Sequence, residues 1–203
     1  MCPPSSNLYD RRNISDTTRR LQDMTLEELW ELFPIVLEEH NPAWPEWAKD
    51  EINNLQSIFL SEFPVINHIG STAIPSIISK PVVDILVEVS KDIDWQNVKS
   101  KMDTNGYICM SESGKRISFN KGYTLKGYAE KVFHIHFHRI GDNAELLFRN
   151  YLLSHPDKAK EYERLKKSLL PRYKNDRAGY TEAKTSFIKS VLALAENERG
   201  IGL

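Results

Sequence analysis

Residues 68–89 read HIGSTAIPSIISKPVVDILVEV and join a short β-branched segment to a nearly continuous apolar run. Both segments are predicted to be strands, and the second is typical of a strand buried on both faces. Gly70 and Ser71 lie just after the first strand, where a missing Cβ lets backbone amides approach an anion. Thr72 adds a second hydroxyl and Lys80 a positive charge. The stretch therefore predicts a phosphate cradle in front of a buried strand.

Asp84 lies inside the apolar run, and a buried carboxylate is costly unless it binds a metal ion or a cation. Phosphoryl and nucleotidyl transfer need this combination of cradle, cation and metal-binding carboxylates. A structural partner for Lys80 or a backbone cap is the alternative interpretation. Glu88 shares the face of Asp84 but lies ~13 Å away at about 3.3 Å per residue, which is too far for one ion. We expect Glu88 to lie in solvent at the strand end.

Residues 134–138 read HIHFH, so three imidazoles alternate with apolar residues along a predicted strand. His134, His136 and His138 then share one face, while the residues between them face a core. Imidazole ligands suit Zn, Fe, Ni or Cu more than Mg. A half-exposed strand with a His-rich polar face is an equally open interpretation, and we expect the central His136 to face the site.

Helical patterns at both ends of the chain with β patterns between them predict an α+β domain. A polar stretch without periodicity predicts a flexible arm over residues 1–23, followed by one domain over 24–198 with a core at about 44–140 and a helical tail at about 143–198. The predicted helices are 25–33, 35–39, 46–63, 94–105, 144–153, 156–170 and 181–197, and the predicted strands are 65–69, 81–89, 116–119, 123–125 and 132–140.

The predicted tail repeatedly combines aromatic with basic residues. Two of the combinations are spaced i,i+4 and so share a helix face, where a ring could stack on a base and a cation could hold a phosphate. An ordinary solvated amphipathic helix is the alternative for each of them. The combinations are Phe148 with Arg149, Tyr162 with Lys166, and Tyr180 with Lys184.

The 203 residues carry 27 basic and 28 acidic side chains, for a formal charge of −1. This balance argues against a protein that binds nucleic acid through its overall field, although a local basic patch remains open. The N-terminus lacks the apolar core of a signal peptide, and no apolar stretch approaches the ~20 residues that span a bilayer. We therefore expect a cytoplasmic protein without a membrane partner, whose ligand is a phosphate-bearing small molecule.

The stretch 68–89, the HIHFH segment and the tail pattern beginning FRNYL resemble the GrpB family, over roughly residues 44–194. The resemblance implies a nucleotidyltransferase-like fold, with a small mixed sheet, flanking helices and a C-terminal helical tail. In that wider superfamily a Gly-Ser turn precedes two carboxylates at alternate strand positions and a third on a neighbouring strand. The turn and Asp84 match, whereas Leu86 holds the second carboxylate position and His136 the third.

The resemblance implies metal-dependent nucleotidyl or phosphoryl transfer from a nucleoside triphosphate to a small molecule, with Asp84 and His136 as catalytic residues. A divalent ion, Mg²⁺ in the first place or a transition metal, would be held by Asp84, His136 and His138. A non-catalytic protein that binds a nucleotide or a CoA-like ligand is the main alternative, and a His-rich metal site for hydrolysis is a third. The residues expected to bind the nucleotide are Gly70, Ser71, Thr72, Lys80, Arg149, Lys166, Tyr180 and Lys184.

Overall fold

A five-stranded mixed sheet forms the centre of the protein in the computed structural model, which describes residues 21–60 and 65–200. Its order is β1-β2-β5-β4-β3, in which β2 and β5 are parallel and the other neighbours are antiparallel. The strands are β1 (Val65–Ile69), β2 (Val83–Val89), β3 (Ile108–Glu112), β4 (Arg116–Thr124) and β5 (Gly127–Arg139).

Seven helices flank this sheet within the described ranges. The first begins in a capping box, in which the Glu28 amide donates to the Thr25 hydroxyl at 3.2 Å and the Thr25 amide to the Glu28 carboxylate at 2.8 Å. No described helix is both long and apolar enough to cross a membrane. The helices are α1 (Leu26–Leu32), α2 (Trp44–Ile58), α3 (Trp95–Thr104), α4 (Ala144–Ser154), α5 (Pro156–Tyr173), α6 (Arg177–Glu182) and α7 (Thr185–Glu198).

The sheet has one apolar and one polar face because its central strands alternate strictly. Ile85 and Ile135 point to the apolar face, where they join a buried core with residues of α2 and α3 such as Leu55 and Met102. A second cluster of buried residues joins the loop after β1 to the tail helices α4, α5 and α7. The polar face, which carries Asp84, is therefore directed towards the helical tail.

The α+β class, with a small mixed sheet, flanking helices and a C-terminal helical tail, is confirmed. The predicted helix at 35–39 is wrong, because Glu38 and Ser79 exchange backbone hydrogen bonds of 2.9 Å in an isolated bridge. The sequence pattern did not predict β3, and it predicted one helix at 181–197 where the structure has the two helices α6 and α7. The predicted arm lies outside the described residues except for Leu21–Asp23, a short 3-10 turn.

Glu88 is buried, with an exposed fraction of 6%, so its predicted place in solvent is wrong. Its carboxylate accepts hydrogen bonds from the Gly141 amide at 3.0 Å and the Asn143 side-chain amide at 3.2 Å. These donors lie in the turn between β5 and α4, which closes over the end of β2. The carboxylate thus fixes the point where the sheet joins the helical tail.

Candidate functional site

A cavity of about 590 Å³ lies between the polar face of the sheet and the tail helices. Its walls come from the turn after β1, from strands β2, β4 and β5, and from all four tail helices, so residues distant in sequence meet there. Its lining includes Gly70, Ser71, Thr72, Lys80, Asp84, Arg116, His134, His136, Tyr162, Lys166, Arg177, Tyr180 and Lys184.

The turn at Gly70 brings the backbone close to Asp84. Gly70 has φ +71° and ψ −171°, a conformation that is essentially confined to glycine. A Cβ at this position would lie 2.6 Å from Oδ2 of Asp84. The Thr72 hydroxyl donates to the Val82 carbonyl at 3.3 Å and lies 2.9 Å from Nε2 of His68, so it holds the turn. Thr72 thus braces the cradle and leaves the Ser71 side chain at the cavity wall.

Asp84, His134 and His136 meet at the centre of the polar face. Parallel pairing of β2 with β5 places Asp84 opposite His134 and Leu86 opposite His136. Oδ1 of Asp84 lies 3.3 Å from Nδ1 of His134 and 3.2 Å from Nε2 of His136. One ligand atom from each of the three residues lies within 4.8 Å of the others, a spacing that could hold a metal ion.

The charge of Asp84 is favoured at this position. Burial alone raises the pKa of the Asp84 carboxyl, but hydrogen bonds with His134 and then His136 outweigh burial, and the net pKa lies well below its ordinary value. The predicted alternative of an ion pair with Lys80 is not formed within the described residues. The carboxylate is therefore ionised and available as a ligand.

A chain of contacts behind His134 sets the orientation of its ring. Nε2 of His134 lies 2.8 Å from the hydroxyl of Tyr123, which accepts a hydrogen bond of 2.8 Å from Nη2 of Arg177. Burial lowers the pKa of His134, which keeps the imidazole neutral. Partners of this kind position the histidines of metal sites, because they hold the ring while its other nitrogen faces the metal.

The structure does not bring His138 to this group, although the sequence predicts it as a ligand. Its Nδ1 lies 2.9 Å from the Asp142 carbonyl, and the residue is only 4% exposed. Each step of two residues along a strand advances about 6.6 Å, so His138 lies near the end of β5, past the reach of Asp84. The residue that completes the group is His134, at the other end of the triplet.

Three lysines form the cationic wall of the cavity. Lys166 donates to the Ile78 carbonyl and lies 4.8 Å from the centre of the Tyr162 ring, whereas Lys184 lies 4.7 Å from the Tyr180 ring. None of the ion pairs among residues 21–60 and 65–200 includes Lys80, Lys166 or Lys184. Asp84 lines the same cavity, but no carboxylate of the described residues lies within ion-pair distance of these three lysines.

Burial and mutual repulsion disfavour the protonated forms of these lysines. Burial first, and then the charge of Lys184, lower the pKa of Lys166 to about 7. Burial and the charge of Lys80 lower the pKa of Lys184 to about 8. The pKa of Lys80 is also lowered, by burial and then by Arg177. A cluster of cations that is disfavoured in the free protein becomes favourable when an anion enters the cavity.

Of the remaining residues predicted to bind the nucleotide, some line the cavity and one does not. Arg149 is not part of the cavity lining, because its guanidinium donates to the His68 carbonyl and the Asn150 side chain. Tyr180 and Lys184 line the cavity, but they lie in α6 and just before α7 and so do not share one helix face as predicted. Arg177 was missed, since no motif marks the short α6. The pairing of β2 with β5 was needed to select His134.

A comparison with models of protein families identifies the family of this chain. The family model described as "GrpB protein" matches residues 34–194. The chain belongs to the GrpB family. The resemblance inferred from the turn, the HIHFH segment and the tail is thereby confirmed.

Relatives of this GrpB-family chain are found among both sequences and solved structures. The UPF0157 protein YqkA of Bacillus subtilis is 32% identical over an alignment of 197 residues that covers 92% of this chain but only 56% of YqkA. The conserved protein GrpB of Enterococcus faecalis, a crystal structure, matches with a TM-score of 0.69 and 28% identity over 81% of this chain and 99% of that one. The Cid1 poly(U) polymerase bound to MgATP matches at a TM-score of 0.45 and 11% identity, over 70% of this chain and 47% of that one.

Proposed function

We propose that this protein transfers a nucleotidyl or phosphoryl group from a nucleoside triphosphate to a hydroxyl of a small molecule, with the help of a divalent metal ion. The observation that carries the proposal is the placement of the Asp84–His134–His136 group and the unpaired lysine wall in one cavity. A metal ion and a cationic wall are the two elements that neutralise a phosphate undergoing transfer.

The three side chains fit a divalent ion, which would supply positive charge at a phosphate oxygen. Asp84 offers an ionised oxygen, and His134 and His136 offer imidazole nitrogens on the same side of the sheet. Two imidazoles with one carboxylate suit Mn²⁺, Fe²⁺, Co²⁺ or Zn²⁺ better than Mg²⁺, which prefers oxygen ligands. We therefore place a transition metal ahead of the Mg²⁺ that the family resemblance implies.

The other lining residues would hold the substrates. The turn at Gly70 and Ser71 would receive one phosphate, and Lys80, Lys166 and Lys184 would neutralise the rest. The acceptor oxygen forms a bond to phosphorus, and the bond from phosphorus to the departing phosphate oxygen breaks. The leaving group keeps that electron pair, and the hydroxyl proton passes to bulk water. Attack at the α-phosphorus releases pyrophosphate, whereas attack at the γ-phosphorus releases a nucleoside diphosphate.

A transfer assay with labelled ATP tests this proposal. The protein is incubated with a small-molecule cell extract, with Mn²⁺, Zn²⁺ or Mg²⁺, and with ATP labelled at the α- or the γ-phosphorus. Label on a new product is expected with the wild type and lost with Asp84→Asn. Asp103→Asn is the matched control, because Asp103 is exposed on α3, away from the cavity. Absence of transfer with every metal, or wild-type transfer by Asp84→Asn, would refute the proposal.

A non-catalytic nucleotide-binding protein is the second candidate, and one observation favours it. Leu86 is fully buried, with an exposed fraction of 0%, where the superfamily pattern has its second carboxylate. Asp84 is therefore the one carboxylate in the metal-ligand group found among the described residues. Calorimetry that detects ATP binding, lost in Lys184→Met, together with no label transfer in the assay above, would select this candidate.

A further inference from the structure

The cavity has an apolar end that the proposed phosphate and metal contacts do not use. Helix α7 begins just after Lys184, and Ile188 and Leu192 follow at intervals of four residues, all on the cavity lining. Helix α4 contributes Ala144 and Phe148, which are also four residues apart. The cavity-facing side of α7 therefore presents a row of three residues that begins with the cation Lys184 and continues with two apolar side chains. The two apolar residues of α4 lie on the opposite side of the cavity.

The two apolar residues of α7 are only partly covered by the protein. Ile188 and Leu192 are partly buried and pack against the cluster that contains Phe148. In a helix bundle without a ligand there, residues on such a row would complete the core between the helices. Here the apolar residues of this row face the cavity, where an apolar group of a ligand could cover them and exclude water from their surface.

Helix geometry gives the distance between the two ends. At about 1.5 Å rise per residue, Ile188 lies about 6 Å and Leu192 about 12 Å along α7 from Lys184. An anion held by Lys184 could thus carry an apolar group that lies over both residues. Ala144, Phe148, Ile188 and Leu192 have no hydrogen-bonding side-chain atoms, so these four cannot read the polar edge of a nucleobase.

We infer that the small molecule bound in this cavity is amphipathic, with a phosphate at the Lys80–Lys184 end and an aliphatic group between α4 and α7. The inference rests on the phosphate binding of the proposed function and adds the acceptor class, an aliphatic alcohol, which phosphoryl transfer converts into its phosphate ester. Bare phosphate or a compact polar ester would satisfy the lysines and leave the apolar row in water.

A series of alkyl phosphates tests the inference without metal or turnover. Methyl, butyl and octyl phosphate are titrated into the full chain by calorimetry in the presence of a metal chelator. Burial of each added methylene strengthens binding about fourfold, so butyl phosphate should bind on the order of 50-fold more tightly than methyl phosphate. Equal affinities along the series, or no binding of any member, would overturn the inference.

Two substitutions on α7 locate the effect. Leu192→Asn should flatten the dependence on chain length and leave the affinity for methyl phosphate unchanged. Leu194→Asn is the control, because Leu194 is on the same helix, 40% exposed, and not part of the cavity lining. Circular dichroism and urea unfolding verify that both variants fold. A wild-type chain-length dependence in folded Leu192→Asn contradicts the inference, and if that variant does not fold, Ile188→Ala takes its place.

The two proposals fail in different ways. A chain-length dependence that Leu192→Asn removes, without label transfer from ATP, would refute the transferase and support the amphipathic ligand. Label transfer from ATP with a flat alkyl phosphate series would support the transferase and refute the amphipathic ligand.

Discussion

Replacement of Gly70 by alanine tests whether the turn after β1 sets the position of Asp84. The new Cβ would lie 2.6 Å from Oδ2 of Asp84, whereas ordinary contacts begin at 3.4 Å. The carboxylate would have to retreat by about 0.8 Å, the difference between these distances (3.4 − 2.6). Its contacts of 3.2 and 3.3 Å with the two imidazoles would then lengthen or break.

The expected loss of stability has two parts. Forcing a non-glycine residue into the backbone conformation of Gly70 costs about 1–3 kcal/mol. Weakening the hydrogen bonds to the Asp84 charge costs about 2 kcal/mol more. Gly106→Ala is the control for a positive φ without the clash, because Gly106 has φ +79° and a Cβ there would meet nothing within 4 Å. Gly70→Ala should therefore lose about 2 kcal/mol more than Gly106→Ala in urea unfolding.

Metal binding gives a second measurement on the same pair of variants. A Co²⁺ titration followed by visible absorption should show at least a tenfold weaker affinity in Gly70→Ala, because a displaced ligand costs about this much. Gly106→Ala should bind Co²⁺ like the wild type. If both variants lose equal stability and bind Co²⁺ equally well, the turn does not position Asp84 and the reasoning fails.

Three further predictions concern the same cavity. Lys166 has a pKa of about 7 when folded but keeps its proton to about pH 10 when unfolded. Because the unfolded chain then binds more protons, urea unfolding should show stability rising from pH 7 to pH 10. Lys166→Met should reduce this slope, and Lys189→Met, at an exposed position on α7, should not. Because the pKa of Lys184 is about 8, this lysine loses its charge between pH 7 and pH 9, and calorimetry should show tripolyphosphate binding about tenfold more weakly at pH 9. The same pH dependence in Lys184→Met as in the wild type, or a different one in the exposed Lys189→Met, would contradict this. Tyr123→Phe should weaken Co²⁺ binding about tenfold because His134 loses a hydrogen-bond partner, and unchanged affinity would show that this contact does not position the ring.

Local sequence patterns were sufficient to predict the class of the fold and those parts of the site that lie on the turn after β1, on β2 and on β5. The Gly-Ser turn, the polar residue inside the apolar run and the alternation of histidines with apolar residues all depend on neighbours in sequence. Strand alternation requires that His136 and Phe137 point to opposite faces whatever the strand pairs with. For the same reason Asp84 and Glu88 had to share a face, although their surroundings differ entirely.

The partners across the sheet and the tail were decided by the tertiary structure. That β2 pairs in parallel with β5, and in which register, selects His134 and His136 as neighbours of Asp84 and leaves His138 outside. Packing of the tail directs Arg149 to a backbone carbonyl and brings Arg177 behind Tyr123. A charged side chain binds an opposite charge, a carbonyl or a ring, and the folding of the chain decides which of these lies within its reach. Its sequence neighbours determine which way it points, and the packing of distant elements determines what it meets.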